Sequence, residues 1–182
     1  MYRATRELIK ERSRFCNRFT PKLVKMHWVE IGEAQRCFSN SLSAKVKDVN
    51  KSGSSENAII SGWMIHAYNK QHDTTEIIQH WWNFDQILKI HFDTTPLDVG
   101  IRARSLEFVE DQEIFEFGKM LQNELETHVG RNLVFMNERW FSSEMTSINS
   151  QLKLTPLNGL SHHNLLQLKN LYGLKSVTQN VT

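Results

Sequence analysis

Cysteine is scarce in this chain: Cys16 and Cys37 are its whole complement. Two thiols are too few for a disulfide scaffold, and free thiols are the expectation. No Cys-x-x-Cys occurs, and the eight histidines show no zinc-finger spacing, so no metal site is expected. The neighbours His162 and His163 do not change this, because adjacent residues on a helix point in different directions. Also missing is any run near the roughly eighteen consecutive apolar residues of a membrane span. The opening MYRATRELIKERSRF is charged throughout and lacks the apolar stretch of a secretory signal. The expectation is a cytoplasmic protein. There is no internal repeat and no low-complexity block, and 182 residues suit one domain of ordinary size.

What is present begins with charge. The apolar share of 40% and charged share of 23% are those of a globular domain. A net charge of +2 hides an asymmetry. Residues 1–25 carry Arg3, Arg6, Lys10, Arg12, Arg14, Arg18, Lys22 and Lys25 against Glu7 and Glu11. Between 107 and 126, Glu107, Glu110, Asp111, Glu113, Glu116, Glu124 and Glu126 face Lys119 alone. A basic segment can hold nucleic acid or an acidic partner. The plainer reading, a solvated helix face or one docked on the chain's own acidic region, is preferred, and no membrane partner is expected.

Apolar periodicity predicts a helix over 3–15, interrupted by Thr20-Pro21, and a second over 33–49 beginning near Cys37. Residues 50–57 read as a loop, 58–68 as a strand, and 76–96 as an aromatic hairpin. Residues 101–110 read as a further strand and 111–128 as an amphipathic helix closed by Gly130. NLVFMN, from 132, reads as a last strand. A polar loop and a helix capped by Ser161 follow. Strands adjacent in sequence argue for α+β with a mainly antiparallel sheet. The single domain then has a core at about 26–137, a basic N-terminal helix at 3–15 and a C-terminal helical tail at 155–182.

The hairpin EIIQHWWNFDQILKIHFDTTP, 76–96, carries chemistry. A connection centred between Gln86 and Ile87 pairs Phe84 with Lys89, Trp82 with His91 and His80 with Asp93. Directly opposed residues share a face with Cβ atoms about 4.5–5.5 Å apart, within reach of a carboxylate–imidazole hydrogen bond. An aspartate so placed fixes the imidazole tautomer and stabilises the imidazolium. Upstream, Cys37 stands where a helix N-terminus and a nearby imidazolium would lower a thiol pKa. Such a thiolate attacks carbonyl carbon, and backbone N–H groups can hold the oxyanion.

This order of Cys37, His80 and Asp93 resembles the transglutaminase-like branch of the papain-like superfamily. There the cysteine opens a core helix and the histidine and aspartate lie on adjacent strands. The wording CFSN at 37–40, SGW at 61–63, HWWNFD at 80–85 and DTTP at 93–96 also resembles small bacterial and phage proteins. The resemblance spans residues 33–96. It implies a papain-like or transglutaminase-like core, with Cys37 as nucleophile, His80 as general base and Asp93 as orienter. It further implies Asn40 in support, Trp28 or Gln35 near an oxyanion hole, and Trp63 and Trp82 as binding or support residues. No cofactor is implied.

The expected function is therefore a thiol-dependent hydrolase or acyltransferase of peptidase, amidase or deamidase type, with a protein or peptide-like substrate. The plain alternatives are a buried structural cysteine, a turn-forming aspartate and core tryptophans. With them goes a second reading: a protein-interaction module without catalysis, or less readily a nucleic-acid binder. Cys16, in RFCNRF, stands among bases with nothing in the sequence to position it.

Overall fold

The structure is a computed structural model describing residues 1–29, 32, 37–52, 56–69, 74–97, 105–113, 132–145, 152–161 and 164–165. Within these lie two helices, α1 (Arg3–Ser13) and α2 (Cys37–Ser52), and nine strands. The strands are β1 (Lys22–Val24), β2 (Met26–Trp28), β3 (Asn57–Asn69), β4 (Thr74–Asp85), β5 (Ile90–Asp93), β6 (Leu106–Glu110), β7 (Asn132–Met136), β8 (Arg139–Met145) and β9 (Leu152–Leu157). The fold is α+β with a mostly antiparallel sheet. No described helix is long and apolar enough to cross a membrane.

The sheet order β1-β6-β3-β4-β7-β8-β9 conceals a closed ring. β1 pairs with β6, β6 with β3, β3 with β4 and β4 with β5, each antiparallel. β2, separated from β1 by Lys25 alone, pairs with β5 in parallel. The run Lys22–Trp28 thus joins the two edges and closes a small barrel. With an odd number of strand positions, strict alternation of direction cannot close a ring, so one neighbouring pair must be parallel.

Side-chain alternation assigns the two faces. Ile60, Trp82, Leu106 and Phe108 point into the barrel, with Val24, Met26, Trp28, Ala58, Met64 and Phe84 packed against them. The other face of β3, β4 and β6 joins Trp63, Ile65, Ile77 and Val109 to Leu133, Phe135 and Trp140 of the β7–β8 wing. Ala4 and Leu8 of α1 cover that second cluster.

Several expectations need correction. β7 is not the last strand: Asn137 and Glu138, at φ 50° and 62°, turn the chain into β8, and β9 follows. The core therefore runs past 137, and Thr155–Leu157 of the expected helical tail are strand. Residues 50–52, expected in a loop, end α2. The three-residue strands β1 and β2 were too short for a periodic signal. Of the helix expected over 111–128, residues 114–128 lie outside the described residues, and Asp111 is not helical. Ser161 does stand as a cap, its Oγ accepting the Asn164 N–H at 3.1 Å.

The hairpin register also differs. Asn83 faces Phe92, Phe84 faces His91 and Asp85 faces Ile90, leaving Gln86–Lys89 as a four-residue turn. Asp85 Oδ1 accepts the N–H groups of Ile87 and Leu88, each at 2.8 Å, and Lys89 takes φ 56°. The slip relative to the expected pairing is two residues. An even slip changes which residues are directly opposed but leaves every side chain on its expected face.

The basic N-terminal segment is docked on the chain's own acidic strand β6. Arg12 and Asp111 are fully buried and joined at 2.6 Å (Nε to Oδ2). Arg12 also donates to the Leu160 carbonyl at 2.6 Å, and Trp63 Nε1 donates to Asp111 Oδ2 at 3.2 Å. The Met1 ammonium meets Glu107 at 3.0 Å, and Lys22 meets Glu110 at 3.2 Å.

Candidate active site

β4 is the strand that makes room for a site. On its edge away from β3, the pairing with β7 stops at Ile78 and the pairing with β5 begins at Asn83. Gln79–Trp82 therefore have no strand beside them there among the described residues. The first turn of α2 fills this fork. Phe38 packs edge-on against Trp81 at 5.7 Å, and Asn83 Nδ2 donates to the Ser41 carbonyl at 2.9 Å. The Trp81 backbone N–H, which a strand would otherwise have taken, donates to the Cys37 sulfur.

His80 is buried on the barrel-facing side of β4, beside Trp82 and Phe108. Its Nε2 is bonded to Asp93 Oδ2, and its ring is hydrogen-bonded to the Cys37 sulfur. With Nε2 engaged by the carboxylate, Nδ1 is the nitrogen left for the thiol. The directly opposed His80–Asp93 pairing does not exist. The two meet diagonally across β4 and β5, and the preserved face lets the contact form. Asp93 uses its second oxygen to hold its own turn: Oδ1 accepts the Thr95 N–H at 2.8 Å, an Asx-turn. The aspartate is at once a turn former and a partner for the imidazole.

The electrostatics favour charge separation. Burial opposes the Cys37 thiolate, but the His80 charge, the His80 hydrogen bond and the Trp81 N–H outweigh it, and the thiol pKa falls below 9.0. Burial likewise opposes the imidazolium, yet the Cys37 and Asp93 charges and their hydrogen bonds raise His80 to about 10. Both shifts move the pair toward thiolate and imidazolium. Cys16 goes the other way. Burial, then the Asp111 charge, raise its thiol to about 12. It is positioned after all, its Sγ 3.6 Å from Asp111 Oδ1, but beside a carboxylate that suppresses the thiolate.

The remaining expected residues divide. Asn40, one turn after Cys37, is buried and donates from Nδ2 to Thr95 Oγ1 at 3.2 Å, tying α2 to the loop that holds Asp93. Trp82 is fully buried beside His80, with ring centroids 6.3 Å apart and planes 23° apart. Trp28 is in register with Asp93 and meets Phe108 edge-on at 5.6 Å. Phe108 in turn lies 5.9 Å from the His80 ring. Trp63 is not part of the site: it points to the opposite face, in the cluster beneath α1. Gln35 lies outside the described residues.

In SGW, Gly62 bears on the site and Trp63 does not. Gly62 stands opposite His80. A Cβ there would fall 2.6 Å from Trp82 Cη2 and closer still to the Val109 carbonyl oxygen. Two further contributors escaped the sequence reading. A backbone donor such as the Trp81 N–H has no residue-type signal. His91 was named as a partner of Trp82 but given no role; it accepts the Trp82 indole N–H on Nδ1 at 2.9 Å.

Comparison of the chain with protein-family models, curated proteins and solved structures finds no match in any of the three.

Proposed function

We propose that this protein is a thiol-dependent hydrolase or acyltransferase acting on an amide or ester carbonyl, with Cys37, His80 and Asp93 as its catalytic line. The observation that carries the reading is the continuous hydrogen-bonded series of sulfur, imidazole and carboxylate at the fork of β4. Its core would be of the papain-like or transglutaminase-like build that the sequence resembles. A helix-borne cysteine, with histidine and aspartate on adjacent strands, supports that assignment. A cytoplasmic setting, a protein or peptide-like substrate and an origin among small bacterial or phage proteins belong to the same proposal.

The chemistry proceeds in two halves. The Cys37 thiolate adds to the carbonyl carbon, and the carbonyl π electrons move to oxygen. The first turn of α2, whose N-terminal end carries partial positive charge, favours that oxyanion. Collapse re-forms the carbonyl and breaks the bond to the amine or alcohol, which leaves with the proton from His80. A thioester and a neutral imidazole remain. His80 then takes a proton from water or an amine as it attacks the thioester, and collapse expels Cys37 as thiolate beside the restored imidazolium. Asp93 holds the ring orientation throughout and balances its charge.

Incubation with p-nitrophenyl acetate followed by peptide mass spectrometry tests the reading. An acetyl group should appear on the Cys37 peptide, be absent in Cys37→Ala and form far more slowly in Asp93→Asn. Acetylation of Cys37 at the same rate in His80→Ala would overturn the proposal. The basic N-terminal segment gives nucleic-acid binding little support, since Arg12 is buried against Asp111.

A further inference from the structure

β4 and β5 carry a second polar pair one rung from the first. His80 reaches Asp93, and two residues along each strand Trp82 donates its indole N–H to His91 Nδ1 at 2.9 Å. His91 must therefore keep its own proton on Nε2, which lies 3.8 Å from Glu110 Oε2. Glu110 is itself buried and fixed by Lys22 at 3.2 Å and by Gln112 Nε2. Phe84 supports the other side of the His91 ring, with centroids 4.7 Å apart. The series Glu110–His91–Trp82 thus runs from the β1–β6 edge to the indole beside His80.

We propose that His91 is a positioning residue for the catalytic line, holding the Trp82 indole against the His80 ring through the Trp82–His91 hydrogen bond. This rests on the preceding functional reading. The physical reason lies in how tightly Trp82 is boxed. Phe108 meets it edge-on at 5.8 Å, and Gly62 leaves space for its six-membered ring. Its N–H is the one polar group of a fully buried side chain, and His91 Nδ1 is its acceptor. Without that acceptor, the buried donor is left unsatisfied and the indole re-orients toward another one. Its electron-rich face, which favours an adjacent cation, then leaves the imidazolium.

Burial, and secondarily Lys22, lower the His91 pKa, while Glu110 opposes them. The neutral acceptor form therefore persists through the neutral range. The charged groups that act on His91 are Glu110 of β6 and Lys22 of β1.

The test compares His91→Phe, which keeps a ring and removes the acceptor, with His91→Gln, whose carbonyl can accept the indole N–H. The readout is the pH dependence of Cys37 alkylation by iodoacetamide, with thermal stability measured in parallel. His91→Phe should move the alkaline limb of the profile, where His80 gives up its proton, downward by about half to one pH unit, as loss of a favourable face beside the imidazolium requires. His91→Gln should return it to the original position. An unchanged alkaline limb in a folded His91→Phe protein would overturn the proposal, as would equal shifts in both variants. A wild-type Cys37 whose reactivity is indifferent to His80→Ala would instead remove the underlying enzyme reading, and that control is run first.

Discussion

The two cysteines offer a test inside one molecule. Both residues are half-buried, but the Cys37 sulfur is the more enclosed of the two, so access favours Cys16 and ionisation favours Cys37. Cys16, raised to about 12, has a thiolate fraction on the order of 10⁻⁵ at pH 7. Cys37, lowered below 9.0, has a fraction above ~1%. The ratio is therefore at least ~10³. A less basic thiolate is also a poorer nucleophile. With a Brønsted slope of roughly 0.4–0.5, three pKa units return about 20-fold to Cys16. The net expectation, taken at the 9.0 bound, is that Cys37 alkylates roughly 30- to 60-fold faster at pH 7.

The pH dependence fixes the sign. The Cys37 rate should rise as pH climbs through its lowered pKa and level off before an ordinary thiol would. It should change again near pH 10, where His80 loses the imidazolium proton. The Cys16 rate should still be climbing toward pH 12. The assay is a timed iodoacetamide quench with peptide mass spectrometry from pH 5 to 11. Rates within about fivefold of each other at pH 7 would refute the argument, because no thiolate–imidazolium pair could then exist.

Other expectations follow from packing and linkage. Gly62→Ala should destabilise the fold by about 1–3 kcal/mol or more in urea, since the added methyl collides with Trp82 and a β6 carbonyl; a neutral result would mean the barrel wall yields freely there. Arg12→Met should cost about 3–5 kcal/mol, because it strands the buried Asp111 carboxylate, and a loss under about 1 kcal/mol would show that Trp63 and Cys16 compensate for it. The Cys16 thiol is harder to ionise folded than unfolded, so stability should fall as pH rises from 9.0 toward about 12. Cys16→Ser should flatten that loss in alkaline denaturation curves.

How far the site was legible depends on what kind of information each part needed. His80 and Asp93 could be placed on one face from parity alone, because strand alternation survives any even error in register. The turn itself was misread because Asp85 caps it with a side-chain carboxylate, a choice invisible to a search for Asn-Gly pairs. Cys37 at the start of a helix was readable from the apolar pattern of α2. The fork in β4 was not, since it depends on where β5 and β7 stop pairing. Trp63 was assigned to the site through the SGW wording of the resemblance, yet neighbours on a strand face opposite ways, and it is Gly62 that stands opposite His80. The strands β1 and β2 were missed because three residues carry no period, and β8 because its exposed and buried positions mix polar with aromatic side chains.

Those missed strands explain why a cysteine and an aspartate 56 positions apart meet at all. The ring has an odd number of strand positions, so its parallel pair, β2 with β5, must be joined by a long crossover, and α2 lies inside that crossover. Trp28 ends β2 in register with Asp93, and Cys37 follows nine residues later. The first part of that connection is tied to the aspartate's loop: the Val29 N–H donates to the Asp93 carbonyl and the Gly32 N–H to the Thr94 carbonyl, each at 2.8 Å. Gly32 then lies against the Asn40 side chain so closely that a Cβ would occupy the same space. These contacts hold the helix beside the carboxylate independently of His80. The β3–β4 ladder, with its glycine opposite His80 and its indole beside it, delivers the imidazole between them. Closure of the barrel and the meeting of Cys37, His80 and Asp93 therefore depend on the same strand pairing, so a substitution that opens β2–β5 should abolish Cys37 reactivity even with all three side chains intact.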